Sequence, residues 1–255
     1  CESGRNKQVA EDVGADAWTF GKAEAYVRDV CGGVSRPPTL DGDSFERVSV
    51  VLLVVFPINV AGTVTLNTSI SSSNDAMVFG AITLGNNVTL DTNASSTTGD
   101  LTLGVVTGGS NTLTLSTGNN VANSDITASG NISGVTTLIL SDVGGTATFS
   151  NTVSTTDLTI GNTVANVTFS NNLTSTNAVS FANDGALTFT NDTATRSFNG
   201  GITTTSVGGT VTLSGTLQTS NDVITLGSVS LVGNTTIDTN ATSTTGDITI
   251  GSVSG

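Results

Sequence analysis

The chain has 255 residues, a length that allows one or two domains with a buried core, and its net charge is −13. Six of its seven Lys and Arg residues lie before residue 48, so residues 61–255 carry eleven Asp against Arg196 alone. Phosphate backbones and anionic lipid headgroups are bound through many exposed cations, and this charge balance therefore argues against nucleic acid and membrane surfaces as partners.

Residues 1–60 differ in composition from the rest, because they hold every proline, cysteine, glutamate, tryptophan and tyrosine of the chain. The pattern predicts a helix within residues 16–33 that ends at two glycines, and then a linker at 35–44. We expect residues 1–60 to be a small irregular or partly helical segment. It is a candidate cap, a linker, or an extension that is not native to the repeat region. Cys1 and Cys31 are a candidate pair and say little about redox compartment.

The most apolar run of the chain is Val48–Gly62, and Pro57 interrupts it. It is too short to span a membrane as a helix, so no membrane insertion is expected from this segment. Two interpretations stay open: a secretory hydrophobic region followed by a poor cleavage site, or a buried strand that opens the next domain.

A direct repeat occupies much of the remaining chain. Residues 62–108 align without a gap with residues 209–255, and about half of the positions are identical. The phrase "DTNASSTTGD" at Asp91–Asp100 returns as "DTNATSTTGD" at Asp238–Asp247. Since the second copy stops at Gly255, we expect the chain to be part of a longer array.

A shorter period lies between the two copies. "TFSN" occurs at Thr148–Asn151 and at Thr168–Asn171, and "TFTN" follows at Thr188–Asn191, with twenty residues at each step. The pattern predicts a unit of roughly twenty residues with two short strands. Seven such units would nearly fill the interval from the start of one copy to the start of the other.

Each unit shows the alternation of a half-buried β-strand. In "GTVTL" at Gly62–Leu66, apolar Val64 and Leu66 alternate with threonines, and the Asn, Gly, Asp and Ser residues between such runs are turn formers. One unit buries too little apolar surface to be stable alone, whereas stacked units share a continuous core. We therefore predict an all-β fold, a parallel β-helix or β-solenoid, over residues 61–255.

This fold predicts nine or ten turns and a rod about 45 Å long, with equivalent side chains one above the other at about 4.8 Å spacing. Phe149, Phe169 and Phe189 should form one such ladder, and the asparagines that follow them another. A sandwich or an up-and-down barrel is the competing fold, but neither explains a ladder with a twenty-residue period.

Catalytic groups are scarce in this sequence. There is no histidine, and after residue 60 there is no Cys, Lys, Glu or Tyr. A polysaccharide lyase of this shape would need a basic residue, for which Arg196 is the only candidate, and a hydrolase would need paired carboxylates, whereas the Asp residues lie in predicted turns. We expect no enzyme activity, no catalytic residue and no cofactor.

Two further kinds of site compete with plain structural roles. The phrase at Asp91 begins like a calcium loop but has Ser96 at the glycine position and Thr102 at the glutamate position. The weak metal candidates are Asp91, Asn93, Asp238 and Asn240, and their alternative role is to form turns. Threonine pairs such as Thr146 and Thr148 suggest an outward Thr/Asn face that binds glycans or ice, although threonine is also an ordinary outward strand residue.

The stretches "TGDLTLGVVTGGSNTLTLSTG" (Thr98–Gly118), "GGTATFSNTVSTTDLTIGN" (Gly144–Asn162) and "STTGDITIGSVSG" (Ser243–Gly255) resemble the strand repeats of large bacterial surface proteins. These are the filamentous-haemagglutinin-like and autotransporter-type adhesins. The resemblance covers about 61–255 and implies a right-handed β-helix, although the usual secretion domain is not recognisable in residues 1–60.

The resemblance further implies a non-catalytic rod or stalk at the bacterial cell surface. Its expected partners are flanking repeats of the same chain and, through the full-length protein, glycans or the surfaces of host or neighbouring cells. The first alternative is the glycan- or ice-binding face, and the second is a carbohydrate-active β-helix enzyme.

Overall fold

The structure is a computed structural model that describes residues 53–54, 58–242 and 246–255. The predicted N-terminal helix and linker and both cysteines lie outside the described residues. The strands are β1 (Leu53–Val54), β2 (Ile58–Leu66), β3 (Ile70–Ser72), β4 (Met77–Leu84), β5 (Val88–Asp91), β6 (Leu101–Leu103), β7 (Val106–Thr107), β8 (Thr112–Ser116), β9 (Ile126–Ala128), β10 (Ile132–Phe149), β11 (Val153–Phe169), β12 (Leu173–Ser175), β13 (Val179–Ser180), β14 (Leu187–Phe189), β15 (Thr195–Phe198), β16 (Ile202–Thr203), β17 (Val211–Gln218), β18 (Ile224–Asp238) and β19 (Ile248–Ser254). Of the apolar run at 48–62, the structure places Leu53–Val54 and the residues from Ile58 onward in strands.

The strands pair in parallel from one turn to the next and form a β-solenoid. Three stacks of strands, here called A, B and C, follow one another along the chain in each turn. Stack A is formed by the paired residues Ile58, Met77, Leu101, Ile126, Ala147, Val167, Leu187, Val211, Val229 and Val253, of which Val253, in the last strand, is exposed. Stack B has Val64, Ile82, Val106, Ile132, Val153, Leu173, Arg196, Leu217 and Ile237.

Stack C is made of two runs of paired residues. The first is Val88, Leu113, Leu138 and Leu158, and the second is Val179, Ile202, Ile224 and Ile248. A backbone hydrogen bond of 2.9 Å from the Asn177 amide to the Thr156 carbonyl joins them. The three stacks therefore continue through the described residues, and each strand supplies its hydrogen bonds to its neighbours one turn away.

The predicted parallel β-solenoid is confirmed, with about nine turns. Nine successive pairings carry stack A from Ile58 to Val253, and the turns differ in length, the shortest running from Val211 to Val229. The twenty-residue period holds from Ala147 to Leu187. The prediction of two strands per turn is wrong, because each turn contributes to three stacks. The long strands β10 and β11 each run around corners and supply residues to all three stacks.

The interior is a continuous apolar column. It holds Leu, Ile, Val, Met and Phe side chains from all three stacks, and outward positions of the same strands carry Thr and Ser. The predicted phenylalanine ladder is confirmed, since Phe149 pairs with Phe169 and Phe169 with Phe189. Burying such side chains is the main favourable contribution to folding, at about 1.5–3 kcal/mol for each.

The two copies of the direct repeat lie on different faces of the solenoid. Val64 belongs to stack B, whereas its counterpart Val211 belongs to stack A. Likewise Met77 belongs to stack A and its counterpart Ile224 to stack C. Each turn passes the three stacks once, and the chain passes twenty stacks on the way from a residue of the first copy to its counterpart in the second. The interval is therefore six and two-thirds turns instead of the predicted seven units. The copies are separated by about 32 Å along the axis at the usual strand spacing.

Candidate functional site

The four candidate metal ligands lie in two corner turns of the same local structure. The Asp91 carboxylate accepts a 2.8 Å hydrogen bond from the Asn93 amide, and Asn93 has a positive φ of 47°. The Asp238 carboxylate accepts a 2.7 Å hydrogen bond from the Asn240 amide, and Asn240 has a φ of 49°. Short polar side chains commonly bond their own backbone in this way and tolerate the left-handed region.

The structure does not bring the two pairs of candidate ligands together. Asp91 ends a strand of stack C, whereas Asp238 ends a strand of stack B, so the two turns lie at different corners. Within the described residues, no three His, Cys, Asp or Glu side chains are grouped as metal ligands would be. The geometry of each corner matches the turn-forming alternative.

A buried hydroxyl lies beneath each of these corners, and neither is among the residues predicted from the sequence. Thr92 is fully buried, and its Oγ1 donates a 2.5 Å hydrogen bond to the Gly99 carbonyl across the loop. Thr239 makes the same bond to the Gly246 carbonyl at 3.1 Å. The sequence signal that could have indicated these hydroxyls is the threonine that stands between Asp and Asn in both copies. The repeated phrase therefore builds a corner that is closed from inside.

Arg196, the candidate basic residue of a lyase, lies inside the solenoid. Its side chain is 1% exposed, between Leu173 and Leu217 in stack B. Burial lowers the pKa of Arg196 to about 10, because desolvation penalises the charged form. The guanidinium still carries its charge at neutral pH, but it cannot reach a polysaccharide outside the rod.

An unbroken column of threonines lies on the outer surface of stack A. It is here called the threonine column and consists of Thr102, Thr127, Thr148, Thr168, Thr188 and Thr212. Each of these side chains is half-buried or exposed, and Ser230 and Ser254 continue the column. The predicted Thr-x-Thr pairs do not recur in every turn, whereas a threonine occupies this outward position of stack A in the six successive turns from Thr102 to Thr212.

Two shallow surface depressions have volumes of about 180 and 200 Å³. The first is lined by Asn119, Val143, Gly144, Asn162, Thr163, Ala165 and Asp184, which include one carboxylate. The second is lined by Ser110, Gly134, Val135, Thr136, Ser154, Thr155, Thr156 and Thr176, which include no carboxylate. Neither lining contains the two carboxyl groups that glycoside hydrolysis uses.

In the part of the chain that the structure describes, no helix has the length and apolarity to cross a bilayer. Comparison with protein-family models gives no match, and neither curated proteins nor solved structures give a match.

Proposed function

We propose that this chain is a non-catalytic rod segment of a large secreted bacterial surface adhesin, located outside the cell. The observation that carries the proposal is the unbroken parallel pairing of stack A from Ile58 to Val253. Such pairing gives a stiff, extended element whose length grows by about 4.8 Å with each turn. Flanking repeats of the same chain would continue it and hold a binding tip away from the cell.

The placement of the repeat supports a spacer role. If the repeated segment bound a flat ligand, its two copies should lie on the same face of the solenoid. Here the two copies of the phrase, at Asp91–Asp100 and Asp238–Asp247, lie at corners of different stacks. What the two copies share is a corner loop held by an internal threonine hydrogen bond, and a spacer needs stable corners on every face.

The surface charge fits a spacer as well. Among residues 61–255 the one cation is Arg196, which is buried, so the described surface of the rod carries carboxylates without exposed Lys or Arg. Like charges on separate rods repel one another and favour solubility. A rod of this kind avoids sideways association with its copies.

The test displays the full chain between a bacterial surface anchor and a small binding domain of known target. Deleting residues 147–210 removes three turns and lets Val211 take the place of Ala147 in stack A. We expect target binding to be kept and the height of the tip to fall by about 14 Å, measured by energy transfer to a dye in the outer membrane. Loss of target binding with unchanged surface display would contradict the spacer role.

A second candidate is a binding face for glycans or ice, and the threonine column favours it. Six identical side chains at a regular spacing could meet a ligand that repeats with the same period. Thr168→Tyr would interrupt the column, while Thr225→Tyr makes the same change on the outside of stack C.

Purified chain on a glycan array and in an ice-recrystallisation assay distinguishes this candidate from the spacer. Binding that Thr168→Tyr abolishes and Thr225→Tyr leaves intact would establish the binding face. The spacer proposal expects no signal in either assay. Incubation of the same protein with polysaccharides tests the expectation that it has no enzyme activity.

A further inference from the structure

One corner of the solenoid is longer than its neighbours. Between stacks A and B, four positions separate Phe149 from Val153, and the same number separates Phe169 from Leu173. From Phe189 to Arg196 the separation is seven positions. The next turn returns to four, from Leu213 to Leu217. Three extra residues therefore have to be accommodated at a single corner.

The extra residues form an exposed loop. Asn191, Asp192 and Thr193 are exposed, whereas Ala194 beneath them is buried. Asn191 has a φ of 87°, and its carbonyl accepts a 3.1 Å hydrogen bond from the Ala194 amide. The Thr190, Asn191 and Ala194 carbonyls of this wide turn lie within reach of the Arg196 side chain, and buried or part-buried carbonyls need a hydrogen-bond donor.

The guanidinium of Arg196 lies behind the loop and bonds to main-chain carbonyls of three consecutive turns. Nη1 donates to the Ser214 carbonyl at 2.6 Å, and Nη2 donates to the Phe169 carbonyl at 3.3 Å and to the Thr190 carbonyl. Longer bonds from Nη1 reach the Asn191 and Ala194 carbonyls, at 3.4 and 3.5 Å. These turns precede, contain and follow the loop.

The chemistry of the site is that of a buried cation neutralised by dipoles. Every hydrogen bond of the guanidinium goes to a backbone carbonyl, and its charge also lies 5.7 Å from the centre of the Phe189 ring. Its Nε is buried without a partner. Only arginine has a rigid fork of five donors, which can serve several carbonyls at once. Leucine, which stack B has at positions 173 and 217, offers none.

We infer that Arg196 is an internal clamp that lets the rod carry a fixed protruding loop at Asn191–Thr193, and that loop and arginine depend on each other. Without the guanidinium, the Thr190 carbonyl of the long corner loses its hydrogen-bond donor, while the Phe169, Asn191 and Ala194 carbonyls each keep one backbone donor. The guanidinium without the long corner is a buried charge with too few partners. This device is independent of what the rod does at the cell surface.

The test is a double-mutant cycle on the full chain. One change is Arg196→Leu. The other is a short-corner variant in which residues 190–195 are replaced by Ser-Asn-Asn, the sequence of residues 170–172. Each change alone should lower the thermal unfolding midpoint by about 5 °C or more, because each leaves buried polar groups unsatisfied. The two together reproduce the neighbouring turn and should recover a midpoint within about 2 °C of the native protein.

Two outcomes would overturn the clamp. One is an Arg196→Leu protein with the native midpoint, and the other is a combined variant no more stable than the weaker single variant. If Arg196→Leu alone fails to fold, folding of the combined variant still decides the matter. Leu113→Val is the control, because Leu113 is buried in stack C four turns away from the long corner, and its effect should simply add to that of the short-corner change.

Hydrogen exchange gives a local measurement. In Arg196→Leu the amides of Ala194 and Thr216, which bond the Asn191 and Ala194 carbonyls, should lose protection. The Ser170 amide, which bonds the Phe149 carbonyl at the preceding short corner, should keep it. Equal loss at all three amides would indicate global destabilisation instead of a local clamp. Arg196→Lys keeps the charge without the forked set of donors. The protection of the Ala194 and Thr216 amides in this variant should lie between that in the native protein and that in Arg196→Leu.

Discussion

Phe149 and Phe169 stack face to face inside the solenoid, with ring centroids 4.9 Å apart and planes inclined by 13°, although twenty residues separate them in the chain. Phe189 continues the stack at 5.9 Å from Phe169, and Phe181 meets Phe169 edge-on at 6.4 Å. Such ring pairs add about 0.5–1.5 kcal/mol each beyond the burial of their surface. The middle turns are therefore held by contacts between successive turns.

Removing the central ring of this stack should destabilise the rod strongly. Phe169→Ala leaves a cavity between two rings and should lower the free energy of unfolding by about 3–5 kcal/mol. Denaturant unfolding followed by circular dichroism measures the change. Thr168→Ala, one residue away on the outer surface, should change it by about 0.5 kcal/mol or less. Similar losses in the two variants would show that the ladder adds nothing to stability.

Gly104 should not tolerate a methyl group. Its α-carbon lies against the Gly80 carbonyl of the preceding turn, and a Cβ at this position would overlap that oxygen. Gly104→Ala should therefore cost about 1–3 kcal/mol through displaced backbone. Gly62→Ala is the matched control, because a Cβ there meets no atom within 4 Å. Equal unfolding midpoints for the two variants would contradict the close approach of these turns.

The hydroxyl of Thr92 should stabilise the corner that the repeated phrase builds. Thr92→Val keeps the shape of the side chain but leaves the buried Gly99 carbonyl without its donor. We expect a loss of about 1–3 kcal/mol in the free energy of unfolding. Thr114→Val, on the outside of stack C, should be close to neutral because valine suits an outward strand position. A neutral Thr92→Val would mean that the hydroxyl is dispensable.

The Asp91 corner should behave as a turn and not as a calcium site. Asp91→Ala removes the acceptor of the Asn93 amide and should lower stability by about 0.5–1.5 kcal/mol, with or without calcium. Asp184→Ala, at an exposed aspartate, is the control. Thermal unfolding in millimolar calcium and in chelator measures both. A calcium-dependent rise in the native midpoint that disappears in Asp91→Ala would identify a metal site.

The sequence predicted those features that depend on local alternation, on exact repetition or on the residues of one turn. Alternation around Val64 and Leu66 indicated half-buried strands, and the TFSN period placed Phe149, Phe169 and Phe189 in one ladder. The Asx-turn role of Asp91 was also available from local residue types. Each of these follows from the two-residue period of a strand, from the twenty-residue repeat or from the chemistry of a single turn.

The features that the sequence could not predict depend on the length of each corner. Turns of unequal length bring together residues at unequal separations, so the threonine column from Thr102 to Thr212 has no fixed spacing in the sequence. The number of strands per turn was also mistaken, because β10 and β11 continue through their corners and each supply residues to all three stacks.

The sequence by itself therefore determined a parallel β-solenoid with an apolar interior, since alternation and repetition allow every unit to bury one face against the next. Only the tertiary structure decided which face each residue occupies. In the structure, the second copy of the repeat lies one stack away from the faces that the first copy occupies, and Arg196 lies inside the rod. The physical reason is that a solenoid residue packs against partners a whole turn away, and corner loops, whose lengths carry no periodic signal, set how long that turn is.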